Sequence, residues 1–497
     1  MPVSVVAYTK LEALFSRLSR IEQALSILHW DMAAMMPAGG ASSRAEQTAA
    51  LKAVHHEMLT APGVGALLDA AVSEPLDLWQ RANLREMRRD WVHASAVPVA
   101  LVEALSRACS ASETVWRKAR QEADFKAVEP FLAEVIRLTR EMAEIKGQAL
   151  GLAPYDALLD QYEPDARQAS IDVIFQDLAK FLPGFMTQVL NRQKPAPAGP
   201  QGPFPVEMQK ALGLKMMAIL GFDFDHGRLD VSHHPFCGGT PEDVRITTRY
   251  DEGDFMRSLM GVLHETGHAL YEQGLPQQWR VQPVGRARGM SLHESQSLLM
   301  EMQICRSREF LAFAAPLMQQ SFRAAGQAGW DAQTLYEANI RVTPGFIRVD
   351  ADEVTYPAHV ILRYQLEKAL IAGRLDVADL PDAWTQGMIE SLGLKPPDDR
   401  LGCLQDIHWY DGAIGYFPTY SLGALTAAQI FQAANEAVED LLPCIGRGDF
   451  RPLLGWLRAK LHGRASLLST EALLIEATGR ALDAEAFKGH LKRRYLS

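Results

Sequence analysis

SLMGVLHETGHALYEQG, residues 258–274, sets the reading of the whole chain. Phe255, Leu259, Val262 and Leu263 recur three and four residues apart, so residues 254–273 are expected to form a helix with one apolar face. Gly274 and Pro276 supply its stop. Three titratable side chains, His264, Glu265 and His268, stand on this helix. Among apolar neighbours they cost stability unless the core satisfies them or something binds to them.

Helical positions four apart bring Cβ atoms to about 5–6 Å, so both imidazoles can reach one ion. Zinc accepts imidazole nitrogen at about 2.0–2.1 Å, and a hydrolytic zinc site uses three protein ligands and one open position. Glu265 points to the side of the histidine pair. That makes it a poor ligand but places it well to contact a metal-bound water, which is the mechanical content of H-E-x-x-H. The bland alternative is a pair of core histidines with satisfied hydrogen bonds. Placement on a helix directly after a strand favours the metal.

The third ligand has to come from elsewhere, because Glu272 lies about 12 Å along the helix axis from His264. The next candidate segment is the expected helix 290–310, MSLHESQSLLMEMQICRSREF, which carries Glu294 and Glu301. Glu294 also fits an S-x-x-E capping box with Ser291, and spacing alone leaves ligand and cap equally open. His293 is a weaker candidate, since adjacent helical residues point about 100° apart. Glu301, seven residues beyond Glu294, is one option for the acceptor that a metal-bound histidine needs, but spacing alone does not select it. His233 and His234 precede Pro235, which favours an extended turn over a helical ligand pair.

Outward from this segment, helical periodicity dominates. Leu11, Leu14, Phe15, Leu18, Ile21, Leu25 and Leu28 mark a helix over 9–29; residues 98–150 read as two helices broken near Ala127–Pro130; residues 168–192 form another. KPAPAGPQGPFP, residues 194–205, holds five prolines and two glycines and is expected to be a loop. It separates an N-terminal helical half, 1–193, from a half carrying the metal site, 206–497, within one unit of 497 residues. DVRITTRY, residues 243–250, alternates in period two and is the one clear strand, exposed enough to pair with an extended peptide. The fold class is therefore mainly α, with a small β element beside the site helix.

Lys plus Arg number 50 against 60 Asp plus Glu, a net charge of −10, which argues against a nucleic-acid or anionic-membrane partner. No apolar run approaches the roughly 18 to 20 residues of a membrane helix. The first twenty residues read as an amphipathic helix and not as a signal peptide. The five cysteines, at 109, 237, 305, 403 and 444, form no C-x-x-C pair and read as reduced thiols of a cytoplasmic protein.

HETGH at 264–268 followed by HESQS at 293–297 resembles the carboxypeptidase Taq family of zinc metallocarboxypeptidases. So do WDMAAMMPAGGASSRAEQ (30–47), YDALLDQYEP (155–164), HPF (234–236), DVRIT (243–247), IRVDAD (347–352) and GCLQDIHW (402–409). The resemblance covers essentially the whole chain; the middle of the N-terminal motif, MAAMMPAGG, diverges. It implies a helical, saddle-like body with a deep substrate groove, a homodimer, and removal of single residues from peptide C-termini. It also assigns Glu294 as the third ligand beside His264 and His268.

The implied chemistry is hydrolysis by metal-activated water with Glu265 as general base. Zinc is the default ion; cobalt or manganese fit the same ligands. An exopeptidase must recognise a free carboxylate, for which arginine's planar fork is suited. Arg348, in FIRVDADEVTY, is the first choice, against a structural ion pair with Asp350, Asp352 or Glu353; Arg245 is the competitor. His408, chiefly on the resemblance, is a candidate to bind the carboxylate or the oxyanion. Tyr420 could donate to the oxyanion, although a packed tyrosine is the blander reading. Two other functions stay open: an oligo-endopeptidase or dipeptidyl carboxypeptidase with a similar groove, and a non-catalytic zinc-stabilised peptide-binding protein.

Overall fold

The computed structural model describes residues 6–497, and helices make up most of it. The helix Val6–Ala34 opens the described chain and packs Leu11, Phe15 and Leu18 into a small core with Leu59, Leu68 and Met87. The expected break between the next long helices falls earlier than Ala127–Pro130. The helix Val99–Glu122 ends at Ala123, which turns left-handed at φ 55°, and the Asp124 side chain accepts from the Ala127 N–H to start Phe125–Leu150. Pro130 is accommodated inside that helix. Residues 193–205 carry neither helix nor strand. The largest core cluster nevertheless runs across them, from Trp116 to Leu491.

Three strands form one sheet in the order β1-β3-β2, with β1 at Gly227–Val231, β2 at Phe236–Thr240 and β3 at Asp243–Thr248. β1 runs parallel to β3 and β2 antiparallel to it. The strand read from the sequence is thus the central one. Both of its edges are already paired, so it cannot receive a substrate peptide, contrary to the expectation. The sheet sits against the helix Phe255–Gly274 through Val244, Ile246 and Leu229, which cluster with Val262 and Ala269.

The helix Phe255–Gly274 begins where the Asp254 side chain accepts from the Arg257 N–H, and it buries twelve of its residues. Full burial of a single side chain such as Leu263 contributes about 1.5–3 kcal/mol. This apolar packing anchors the helix that carries the polar residues. Gly267, the fourth residue of HETGH, lets the next site helix, Met290–Leu298, approach: a Cβ there would lie 2.3 Å from the Gln296 carbonyl oxygen. Gly423, on the buried helix Pro418–Ala437, does the same on the other side, where a Cβ would lie 2.7 Å from Glu294 Cγ. Glu294 is therefore wedged between two close helix crossings.

The expected single helix over 290–310 is interrupted. After Leu298 the chain widens into a π-helix, Leu299–Cys305, and a new helix starts at Arg308, capped by Ser307 accepting from the Phe310 N–H. Such widened turns frequently mark functional sites; this one carries Glu301. Among the described residues no helix is long and apolar enough to cross a membrane.

Candidate metal centre

His264, His268 and Glu294 each offer a donor atom, and the three atoms lie within 4.8 Å of one another. His268 Nε2 is 3.6 Å from Glu294 Oε2. His264 Nδ1 is bonded to Glu301 Oε2 at 2.9 Å, which leaves Nε2 as the nitrogen free to face an ion. Glu301 in turn accepts from Arg306 Nη2 at 2.7 Å, while Arg306 Nη1 donates to the Asn339 carbonyl at 2.8 Å. A carboxylate behind a metal-facing histidine fixes its tautomer and orientation.

The electrostatics favour a cation. Burial disfavours charge on His264, but Glu301, Glu294 and Glu265 outweigh it and push its pKa up to about 10. Burial also pushes the Glu294 carboxyl up. For Glu301, burial acts upward, but the Arg306 charge and the His264 bond hold it down to about 2. His268 is driven well below the usual imidazole value by burial and by the neighbouring His293 and His264, so its lone pair stays available. Two imidazoles and a carboxylate, converging with further acids close by, are the donor set a divalent transition metal takes.

Glu265 is 7 % exposed and outside the donor trio; burial, with Glu294 adding to it, pushes its carboxyl up to about 7. His293 stands beside the trio. Its ring stacks on His268 with centroids 4.6 Å apart, and its Nε2 is bonded to Glu272 Oε1 at 2.9 Å. The capping box at Ser291 does not form. Gly289 is the N-cap, and the Ser291 N–H donates to Glu163 Oε2 at 2.8 Å, which leaves Glu294 free to face the histidines.

Arg348, His408 and Tyr420 form a second group. Arg348 is 5 % exposed. Its Nε and Nη2 donate to Asp406 Oδ1 at 3.1 and 2.8 Å, and its Nη1 reaches the Tyr356 hydroxyl at 3.4 Å. The guanidinium also lies 4.8 Å from the centroid of the Tyr420 ring. His408 Nε2 and the Tyr420 hydroxyl are 3.2 Å apart. Burial drives His408 down to about 4, with Asp406 opposing and Arg348 and Arg363 reinforcing. Tyr420 is pushed up to about 12 by burial, so its hydroxyl remains a donor. The Arg348 charge acts on Glu294, which ties this group to the donor trio.

The ion pair that competes for Arg348 is not one of those expected. Asp350 pairs with Arg257 at 2.6 Å, Glu353 with His490 and Arg494, and Asp352 accepts main-chain N–H groups of Thr343, Val354 and Thr355. Asp406 is the partner instead, and it also binds Arg363 at 2.6 Å. Two buried guanidiniums thus share one carboxylate, which leaves a positive charge unmatched. Asp406 was not singled out in the sequence, although it stands two residues before His408. Arg245 is not part of this group: it pairs with Asp243 at 2.6 Å and lies 4.1 Å from the centroid of the Trp30 ring.

A mainly helical body with H-E-x-x-H on a buried helix and a glutamate from the next defines a metallopeptidase-type site. The comparisons agree. The model of the carboxypeptidase Taq (M32) metallopeptidase family matches residues 10–495, and the chain belongs to that family. It is 40% identical over 482 residues to thermostable carboxypeptidase 1 of Thermus thermophilus, covering 94% of each chain. Among solved structures it superposes on Trypanosoma cruzi metallocarboxypeptidase 1 with a TM-score of 0.97, at 41% identity, covering 99% of this chain and 100% of that one. The M32 carboxypeptidase of Deinococcus radiodurans gives 0.94 at 34% identity, with 99% and 100% covered. The chain is accordingly a metal-dependent peptide hydrolase of the carboxypeptidase class with an all-helical scaffold and one small sheet.

Proposed function

We propose that the enzyme releases single amino acids from the free C-termini of peptides, with zinc held by His264, His268 and Glu294. The observation that carries this reading is a donor trio beside a buried carboxylate and a buried arginine pair sharing a single acid. His264, His268 and Glu294 would hold a divalent ion, which would supply Lewis-acid chemistry to the scissile carbonyl and to the attacking water. Glu265 takes the water's proton and delivers it to the leaving amine. Asp406 occupies the Nε–Nη2 edge of Arg348, so the substrate carboxylate binds the Nη1 side, next to the Tyr356 hydroxyl. Tyr420, oriented by His408, donates to the developing oxyanion. Arg245 braces the sheet against the helix Val6–Ala34 and takes no part in binding.

The substrate runs in a deep groove, the enzyme works as a homodimer, and it resides in the cytoplasm, a setting consistent with five free cysteines. The groove and the dimer follow from the family resemblance, and the reducing compartment from the unpaired thiols.

The test offers the zinc-loaded enzyme one unblocked peptide and the same peptide amidated at its C-terminus, and follows products by mass spectrometry. A ladder losing one residue at a time, only from the free acid, is expected. Internal fragments from both peptides would establish an endopeptidase. Dipeptide steps would establish a dipeptidyl carboxypeptidase. Absence of cleavage with metal bound would favour a non-catalytic binding protein.

A further inference from the structure

A cleft of about 160 Å³, with none of the metal-site residues in its wall, opens where the proline-rich segment, the helix Ala332–Asn339 and the last residues of the chain meet. Arg192, Lys194, Arg308 and Arg341 all line it. None of the four pairs with a carboxylate among the described residues. Arg192 Nη1 donates to the Leu496 carbonyl, Arg341 Nη1 to the Lys194 carbonyl and Arg308 Nη1 to the Gln333 amide oxygen, each at 2.9 Å. These neutral acceptors hold the guanidiniums in place and leave their charge unmatched. Arginine has five N–H donors, so most of them stay unused. Arg308 is further fixed by lying 4.0 Å from the centroid of the Tyr336 ring.

The opposing groups are few. Glu337 lines the cleft and already accepts from Gln333 Nε2 at 2.7 Å. In a chain with 60 acidic and 50 basic side chains, four unmatched cations around one cleft run against the average. Their mutual repulsion is relieved when an anion enters.

We propose that this cleft binds a phosphate group. Guanidinium forks match tetrahedral oxyanions through paired, charge-assisted hydrogen bonds, and four cations suit a dianion better than a single carboxylate. The phosphate is either free or the end group of a small metabolite. None of His264, His268, Glu294 and Glu265 lines the cleft, so the site is distinct from the metal centre.

The test is isothermal titration calorimetry of the metal-loaded enzyme with inorganic phosphate, at ionic strength held constant with chloride. The double variant Lys194→Gln/Arg308→Gln and the single variant Arg341→Gln are titrated alongside. Arg107→Gln, at an exposed pair with Glu103, is the control. Saturable binding at one site is expected, weakened roughly tenfold or more per charge removed and unchanged in the control. Lys194 and Arg308 are exposed, so the double variant retains the fold even where Arg341→Gln does not. Ribose 5-phosphate binding more tightly than inorganic phosphate would support the end group of a metabolite; equal or weaker binding would support the free ion. Absence of saturable binding, equal binding by the variants, or succinate binding as tightly as phosphate would each overturn the assignment.

Discussion

Replacing Arg348 by glutamine tests the proposed carboxylate-binding role of this residue. In the native protein Arg348 and Arg363 share Asp406, at 2.8 and 2.6 Å. Removing Arg348 leaves one guanidinium on one carboxylate, a matched pair, so the fold should survive. On the proposed role, the substrate carboxylate loses its cation. A charge-assisted hydrogen bond is worth about 1.5–3 kcal/mol, so two lost contacts amount to about 3 kcal/mol or more. That corresponds to roughly a hundredfold or greater fall in kcat/KM. The assay compares kcat/KM of wild type and Arg348→Gln on a free-acid peptide, with unfolding midpoints measured in parallel. The fall should come with a rise in KM, because the carboxylate is held in both ground and transition states. A loss of less than about threefold, below 1 kcal/mol, with the fold intact would refute the assignment of Arg348 to the carboxylate.

Four further outcomes follow from the same structure. Asp406→Asn leaves two buried guanidiniums facing each other without a carboxylate, and should cost about 3–5 kcal/mol of stability in denaturant unfolding. Glu301→Gln removes the charge behind His264 and should weaken metal binding about 10–100-fold in chelator competition, with circular dichroism unchanged. Gly267→Ala places a methyl 2.3 Å from the Gln296 carbonyl oxygen; it should force the site helices apart, costing about 1–3 kcal/mol and lowering metal affinity along with it. His359 is 0 % exposed, and burial with the Arg363 and Arg348 charges drives it down to about 3. The unfolded chain therefore binds a proton there before the folded one does, so stability falls as pH drops from about 6.5 towards 3, by about 1.4 kcal/mol per unit. His359→Leu should flatten that slope by one proton in unfolding titrations; an unchanged slope would count against a neutral buried imidazole.

Residues whose partners are close in sequence were readable in advance. The helix Phe255–Gly274 was, because its apolar spacing, its stop and its H-E-x-x-H pattern all lie between Phe255 and Pro276. β3 was, because Val244, Ile246 and Thr248 alternate with Arg245 and Thr247. β1 and β2 were not. Phe236-Cys237-Gly238-Gly239-Thr240 has two glycines and no alternation, and it is held by neighbours distant in the chain. Ser26 bonds both the N–H and the carbonyl of Gly239, at 3.1 and 2.8 Å, from 213 residues away. The left-handed turn at Ala123 also carried no glycine or proline to announce it.

The same distinction explains Glu294. From spacing, ligand and capping box were evenly matched, because the box depends on which residue starts the helix. Gly289 starts it, and Glu163, 128 residues upstream, takes the N–H that the box reading assigned to helix capping. With that N–H satisfied elsewhere, the Glu294 carboxylate is released toward His268. Arg348 is a parallel case: three acids within five residues looked like its partners, yet each is engaged by another group, and Asp406 arrives from 58 residues away. A buried charge is assigned by what the fold brings to it, and that tertiary choice makes Arg348 one of two cations on one acid, the imbalance a substrate carboxylate is suited to correct.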